Sequence, residues 1–275
     1  MKNILLTGST GTIGSKIKKI LIDEKKYNLI LPVRGNLPKN YKNENYFDYN
    51  IFDSNKSIFQ EIDIFIHAAT AWDDNSYLFN VSFLEKILNS LDKNRIEKIL
   101  ILSTASIIKN NAINHDCIVY GNEYIKSKYL QYMMIDKHAL KNKCYFIFIT
   151  VVTDHKDRIN TLNFLKKYGK YFPKKFPKHS FHTMHSIDIA RVCNEIMKIK
   201  NSKKMYVVGL PSTNLVKLMK IFNITFNGCI PFILINFFLN FFIDRWTYYN
   251  LNYFLDQSYN VVYPETFNLI RKYEY

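Results

Sequence analysis

The chain has 275 residues, of which 48% are hydrophobic and 22% charged, a balance that is typical of a folded soluble domain and excludes a disordered chain. This length allows one large domain, or a large domain with a smaller partner. The 38 Lys and Arg residues against 23 Asp and Glu residues could attract nucleic acid or a phosphorylated metabolite. Because Lys, Asn, Ile, Tyr and Phe are all abundant, we attribute most of this charge to AT-rich codons.

The cysteines and the apolar segments bear on the cellular location of the protein. No two of the four cysteines form a CxxC pair, and Met1 leads directly into an apolar strand rather than a cleavable leader, so we expect reduced thiols and a cytoplasmic location. The longest apolar run, 228–243, is shorter than the ~20 residues that cross a bilayer. We expect a buried or dimer-forming helix there, with a membrane-surface helix as the alternative, and the role of the aromatic-rich segment 228–255 stays open.

The first predicted elements are an apolar strand at 3–7, the glycine-rich turn 8–14 and a helix with isoleucines at helical spacing. In such a turn the first glycine permits a sharp bend, the second lets a phosphate approach the backbone, and the third lets the helix pack on the strand. The unpaired N–H groups of the helix N-terminus suit a pyrophosphate. The predicted dinucleotide contacts are Gly8, Ser9, Thr10, Gly11, Thr12, Ile13 and Gly14.

The following strands complete an α/β pattern. A strand at 28–34 ends at Arg34, where an acidic residue would bond the ribose of NAD and an arginine accommodates the 2′-phosphate of NADP. Arg34 therefore favours NADP slightly, with a solvated loop arginine as the alternative. Further buried strands are predicted at 63–70 and 95–106, and strands alternating with helices predict a Rossmann doubly wound parallel sheet with its ligand at the C-terminal strand ends.

The order of the motifs resembles the extended short-chain dehydrogenases/reductases, in the NAD-dependent epimerase/dehydratase family. Five stretches carry the resemblance: TGSTGTIG at 7–14, NIFD at 50–53, HAA at 67–69, LSTAS at 102–106 and YIKSK at 124–128. They are similar to the family's TGxxGxxG turn, adenine-cradling stretch, fourth-strand signature, serine- or threonine-bearing strand end and YxxSK. Asn50 stands where the family usually has Asp. Further similar stretches are NVSFLEKIL at 80–88, HTMHSIDIA at 182–190 and MYVVGLPST at 205–213, so the resemblance covers about 1–215.

The resemblance implies a domain organisation and a set of ligands. An NAD(P)-binding Rossmann domain would comprise 1–150 and about 183–212, and a small C-terminal substrate-binding subdomain would comprise 151–182 and about 213–275. The implied partners are a nucleotide-linked sugar and a second copy of the chain, without nucleic acid or metal. Further implied cofactor contacts are Asn50, Ile51, His67, Ala68, Ala69 and Lys128. The residues that could meet the sugar's diphosphate are Lys174, Lys175 and Lys178.

The candidate catalytic pair is Tyr124 and Lys128, which lie four apart on a predicted helix without Gly or Pro and so share one face. A nearby ammonium favours the phenolate and lowers a tyrosine pKa from its ordinary value of about 10. We therefore predict Tyr124 as the acid/base, with Lys128 tuning it and, by the resemblance, bonding the nicotinamide ribose. Thr104, with Ser103 as second choice, is predicted to hold the substrate oxygen. A second Tyr–Lys pair further along the chain contains a proline, which disrupts a helix.

The two residues after Thr104 narrow the choice of reaction. Family members that dehydrate sugars carry Asp–Glu there, whereas this chain has Ala105 and Ser106, which disfavours a dehydratase. The remaining enzymes are a C4 epimerase, which would retain NAD, and a 4-ketosugar reductase, which consumes NAD(P)H; Arg34 slightly favours the reductase. A non-catalytic dinucleotide-binding sensor or scaffold of the same fold is the alternative, and an RNA-binding protein a third class. The complete set of Thr104, Tyr124 and Lys128 argues against both.

Overall fold

The computed structural model describes residues 1–33, 44–48, 57–109, 112–152, 180–199, 205–208 and 210–214. The strands in these ranges are β1 Lys2–Thr7, β2 Tyr27–Val33, β3 Glu44–Asp48, β4 Ile64–His67, β5 Lys98–Thr104, β6 Ile108–Lys109, β7 Ala112–Ile113, β8 Cys144–Ile149, β9 Val151–Val152, β10 Ser180–Met184, β11 Met205–Val208 and β12 Leu210–Asn214. The α-helices are α1 Thr12–Asp23, α2 Ser57–Gln60, α3 Phe83–Ser90, α4 Cys117–Tyr120, α5 Glu123–Lys137 and α6 Ser186–Lys198. A π-helical turn, Leu78–Ser82, leads into α3, and 3-10 turns occupy Ala105–Ile107 and Lys141–Lys143.

Seven strands form one sheet in the order β11-β8-β5-β4-β1-β2-β3, and every neighbouring pair is parallel. The strand order reverses between β1 and β4, which is the switch point where open α/β sheets bind their ligands. Two small sheets accompany it, one formed by β12, β10 and β9 and one by the β6–β7 hairpin.

Helices cover both faces of the large sheet. One core cluster joins α1 and α6 through residues such as Ile17 and Ile189, and the other joins α3 and α5 through residues such as Leu84 and Ile125. Successive residues of a strand point to opposite faces, so Ile66 of β4 packs in the first cluster and Phe65 in the second. The doubly wound Rossmann architecture predicted from the sequence is confirmed.

The last strand of the large sheet in chain order is β11, which begins at Met205 and pairs with β8, which ends at Ile149. The predicted division into a Rossmann domain and a substrate-binding subdomain stays a prediction, because the segments 153–179 and 215–275 lie outside the described residues.

None of the helices in the described ranges is long and apolar enough to cross a membrane, and the apolar run 228–243 falls outside those ranges. Cys117, Cys144 and Cys193 are buried as thiols.

A buried lysine fastens the sheet to α6. The ammonium of Lys98, on β5, donates to the backbone oxygens of Ile196 at 2.7 Å, Met197 at 3.1 Å and Ile199 at 2.6 Å. These carbonyls belong to the end of α6, where the last turn has no intrahelical donors and the helix dipole is negative. The cation therefore satisfies the helix terminus and links it to the centre of the sheet.

The glycine turn packs backbone against backbone. Gly8 has a φ of +74°, in the left-handed region that favours glycine. A Cβ added to Gly8 would lie 2.6 Å from the amide nitrogen of Ala69, and one added to Gly14 would lie 2.0 Å from the carbonyl oxygen of Gly8. A Cβ on Gly11 would meet that oxygen at 3.3 Å, which a small shift relieves. A side chain would therefore clash with the backbone at Gly8 and Gly14 but could nearly be accommodated at Gly11.

We expect Gly14→Ala to lower the free energy of unfolding by roughly 1–3 kcal/mol or more, because α1 would have to move away from β1. Gly11→Ala, the control in the same turn, changes only the residue before α1 and should cost less than about 1 kcal/mol. Urea unfolding of both variants checks this, and equal stability of the two would show that the turn does not set the packing of α1.

Candidate active site

The candidate site lies where β1, β4 and β5 end side by side. Thr7 pairs with His67 in the register of β1 and β4, and β5 continues to Thr104. The Thr7 hydroxyl and the His67 Nδ1 atom are 2.9 Å apart, and the backbone N–H of Ala69 points to the same hydroxyl oxygen at 3.5 Å. The sheet edge at the switch point is thus lined with polar groups.

The glycine turn presents the N-terminus of α1 to this edge. Gly11 precedes the helix in an extended conformation, and no side chain caps the helix there. The first N–H groups of a helix without such a cap suit an anion. The Ser9 hydroxyl oxygen is buried beside them and has no partner among the described residues, whereas Thr10 is exposed and Thr12 and Ile13 are half-buried. The turn fits the pyrophosphate of a dinucleotide.

Two more buried polar atoms at the strand ends, His67 Nε2 and the Ser103 hydroxyl, have no partner in the described part of the chain. Burial lowers the pKa of His67 to about 3, and the nearby charge of Lys128 adds to this effect. His67 is therefore neutral at physiological pH and can offer one ring nitrogen to a ligand. Unpaired polar atoms in a buried position are costly, so these groups also fit a cofactor with hydrogen-bonding hydroxyl and amide groups.

Tyr124 lies on α5. The side chain of Asn122 caps the N-terminus of this helix by accepting a 2.9 Å hydrogen bond from the backbone N–H of Ile125. The side chain of Tyr124 is buried, and its hydroxyl is hydrogen-bonded to that of Thr104. Burial raises the pKa of Tyr124 well above its ordinary value, and the bond to Thr104 offsets only part of this. The sequence predicted the opposite direction, because it supplied an ammonium neighbour but not the degree of burial.

Lys128 occupies the same face of α5 as Tyr124, and it is as buried as the residues of the core. Burial lowers the pKa of its ammonium to about 7. Its Nζ atom donates to the backbone oxygen of Leu102 at 3.4 Å, the one hydrogen bond of this ammonium to a described residue. The remaining donors suit the hydroxyls of a nicotinamide ribose. The structure thus brings Thr104, Tyr124 and Lys128 together, with the second candidate Ser103 beside them on β5.

Asn80 is a site residue that the sequence interpretation missed. Its buried side chain accepts from the Ala71 N–H at 3.0 Å and from the Thr70 hydroxyl at 3.2 Å, and it donates to the Ala71 oxygen at 3.0 Å and to the Ser127 hydroxyl at 2.9 Å. Ser127 in turn donates to the backbone oxygen of Tyr124 at 2.7 Å. Asn80 therefore ties the segment after β4 to the turn of α5 that carries Tyr124.

Asn80 lies in the π-helical turn Leu78–Ser82 that leads into α3. A π-turn interrupts the regular helical hydrogen bonds and often occurs at functional sites. The backbone oxygen of Asn80 accepts a 2.7 Å hydrogen bond from the side chain of Gln131, one turn further along α5. The sequence signal was the NVSFLEKIL stretch at 80–88, but nothing local reveals partners that lie 47 and 51 residues away.

Trp72 is the second residue that the sequence interpretation missed. Its indole stacks on the ring of Tyr124, with a centroid distance of 4.0 Å and an interplanar angle of 22°. Such stacking is a favourable arrangement for two aromatic rings. The indole therefore supplies part of the burial that raises the tyrosine pKa.

Several predicted contacts lie outside the described residues, so they stay predictions. The cofactor candidates among them are Arg34, Asn50 and Ile51, and the substrate candidates are Lys174, Lys175 and Lys178. The other cofactor candidates are placed at the switch point, with Ala68 and Ala69 against the turn at Gly8.

Comparisons with known proteins agree with this fold. Residues 4–154, more than half of the chain, match the sequence model of the NAD dependent epimerase/dehydratase family. A search of curated proteins finds no match.

Three of the similar solved structures illustrate the range of proteins with this fold. The terminal R domain from the myxalamid PKS-NRPS biosynthetic pathway superposes with a TM-score of 0.70 at 14% identity, covering 98% of this chain and 84% of that chain. UDP-glucuronic acid 4-epimerase from Bacillus cereus, in complex with NAD, has a TM-score of 0.59 at 14% identity, covering 82% and 86%. Gre2 from Candida albicans, in complex with NADPH, has a TM-score of 0.58 at 20% identity, covering 80% and 82%.

We expect Asn80→Ala to lower the free energy of unfolding by roughly 2–4 kcal/mol, because buried partners on two elements lose their hydrogen bonds at once. Asn75→Ala, which removes an exposed asparagine from the same segment, should stay within about 0.5 kcal/mol of wild type. Urea unfolding measures both. A small effect of Asn80→Ala would mean that the segment and α5 are held together by other contacts.

The buried Lys128 gives stability a pH dependence. Its pKa is about 7 in the folded chain and 10.5 ordinarily, so between these values the unfolded chain binds a proton that the folded chain does not. The contribution of Lys128 to stability therefore rises with pH across this window. Lys128→Met removes the free-energy cost of burying an amine that is protonated in the unfolded chain. We therefore expect it to raise the melting temperature more at pH 7 than at pH 10. The exposed Lys137→Met on the same helix should show the same difference from wild type at both pH values.

Proposed function

The chain belongs to the NAD dependent epimerase/dehydratase family, and we propose that it is an NAD(P)-dependent oxidoreductase or epimerase acting on a nucleotide-linked sugar, with 4-ketosugar reduction favoured over C4 epimerisation. The observation that carries the proposal is the hydrogen-bonded pair of Thr104 and Tyr124 with Lys128 on the same helical face, at the switch point of the sheet. A protein that only binds a dinucleotide has no need of this set.

The protonation of Tyr124 supports the direction of reduction. Burial keeps the tyrosine pKa above its ordinary value, so the phenol carries its proton at neutral pH and can donate it. A ketone that becomes an alcohol must receive a proton on its oxygen, which is the role we assign to Tyr124. Thr104, bonded to the same phenol oxygen, would orient that oxygen and the substrate.

The nicotinamide dinucleotide would supply the hydride when bound. The groups of this chain that would hold it are the N-terminal turn of α1 with Ser9, the neutral imidazole of His67, and the ammonium of Lys128. At a pKa of about 7, Lys128 is close to half protonated at neutral pH. Its proton can therefore be shared with a hydroxyl at low cost, which suits a residue that returns a proton towards Tyr124 after each turnover.

The substrate class is supported by the family and by the dense basic run at 174–179. Similar solved structures include a UDP-glucuronic acid 4-epimerase and a UDP-N-acetylglucosamine 4-epimerase, both from Bacillus cereus. We propose that Lys174, Lys175 and Lys178 meet the diphosphate, and that Arg34 accommodates the 2′-phosphate of NADP. The lack of a carboxylate at positions 105 and 106 disfavours elimination of water.

The test is NADPH oxidation by 4-keto nucleotide sugars. We expect wild-type protein to oxidise one NADPH per ketone, and Tyr124→Phe to lose ~10²–10⁴-fold in kcat while binding NADPH as before, because only the proton donor is missing. Tyr129→Phe, on the same helix but bonded to His115 outside the site, should keep most of its activity. Activity of Tyr124→Phe near that of wild type would refute the assignment.

The cofactor that accompanies freshly purified protein separates the two reactions. An empty site that prefers NADPH is the expected result for a reductase. Tightly retained NAD, with interconversion of C4 epimers and no net cofactor consumption, would show an epimerase instead. Dinucleotide binding without turnover on a panel of nucleotide sugars would contradict both and favour a sensor.

A further inference from the structure

We propose that Trp72 is the surface on which the sugar ring of the substrate lies, and that it makes this protein select a neutral, hydroxyl-bearing ring. The inference rests on the proposed function and names its sugar subsite. Its basis is the position of the indole, which stacks on Tyr124 at 4.0 Å and covers a phenol that is only 5% exposed. Trp72 itself is 47% exposed. About half of the accessible surface of Trp72 is thus exposed beside the proposed acid/base.

The indole is held by its stacking on Tyr124 and by the backbone that precedes it. Ala71, the residue before it, has its N–H and its carbonyl oxygen both bonded to the side chain of Asn80, each at 3.0 Å. The same amide donates to Ser127, which is bonded to the backbone of Tyr124. One buried side chain therefore links the backbone before the indole to the backbone of Tyr124. An aromatic surface that is fixed before binding loses little conformational entropy when a ligand arrives.

The chemistry of the subsite favours a sugar ring. The face of an aromatic ring carries the negative part of its quadrupole, so it attracts a face of C–H groups such as a pyranose presents. Asp73 and Asp74 come immediately after Trp72 and are exposed. Two carboxylates repel a phosphate but accept hydrogen bonds from sugar hydroxyls. The indole and its acidic neighbours thus select the ring of a nucleotide sugar, and the diphosphate must lie elsewhere.

The direct test monitors the indole by fluorine NMR, without requiring turnover. The chain has two tryptophans, Trp72 and Trp246, so protein labelled with 5-fluorotryptophan gives two signals that Trp72→Phe assigns. With NADP⁺ already bound, UDP-glucose and dTDP-glucose are compared with UDP and dTDP, which lack the ring. We expect at least one of the two sugars to shift the Trp72 signal and its matching nucleotide to leave it in place.

Kinetics on the active 4-keto sugar supply the second measurement. Trp72→Ala should raise KM roughly tenfold, as the loss of one aromatic contact predicts, and should leave NADPH affinity near that of wild type. Trp72→Phe keeps a ring over Tyr124 and should fall between Trp72→Ala and wild type. Thermal melting of each variant shows whether it is folded, and the Phe variant keeps the comparison valid if the Ala variant is not.

The outcomes separate the sugar subsite from the proposed reaction. A sugar-dependent shift of Trp72 without turnover on any sugar supports the subsite and refutes the reaction. Turnover without a shift, or a shift that UDP or NADP⁺ alone produces in full, overturns the subsite and leaves the reaction standing. If neither sugar binds and none is turned over, both are overturned.

Discussion

The backbone of Gly8 touches two other parts of the chain, and the ligand edge of the fold depends on that contact. Its carbonyl lies where a Cβ on Gly14 would be, and its own α-carbon faces the peptide between Ala68 and Ala69. The first strand, the first helix and the end of the fourth strand therefore meet at backbone distance. This closeness brings Ser9 and His67 to one edge as buried groups with unpaired atoms among the described residues, which is the condition for recognising a polar ligand there.

Burial controls the charges of the candidate site residues more than their mutual attraction does. It raises the pKa of Tyr124 and lowers that of Lys128 to about 7 and that of His67 to about 3. Each shift favours the neutral form, as expected where water is excluded. The site therefore carries few charges in the folded chain, which limits the free-energy cost of burying it. Its neutral groups can still donate hydrogen bonds to the hydroxyl groups of a ligand.

The sheet, the glycine turn and the helix of Tyr124 could be predicted because their signals are local: apolar runs, glycine spacing and a four-residue interval on an uninterrupted helix. The sequence also singled out Thr104 and Tyr124, whose side chains the structure places together, although their roles stay predictions. It could not give the direction of the Tyr124 pKa, which depends on the indole that covers the phenol. It could not reveal Asn80 either, because the partners of that amide come from two separate segments and converge only through the fold.

Reduction and oxidation place opposite demands on one tyrosine, since a donor must hold its proton and an acceptor must have released it. The stacked indole and the hydrogen bond to Thr104 act in opposite directions on the phenol, and the burial to which the indole contributes is the larger effect. A ligand that displaced water but left the indole in place would keep Tyr124 protonated, which favours delivery of a proton to a ketone. Asn80 bonds to the backbone before the indole and, through Ser127, to the turn of Tyr124, so both groups that act on the phenol belong to the folded chain rather than to a ligand.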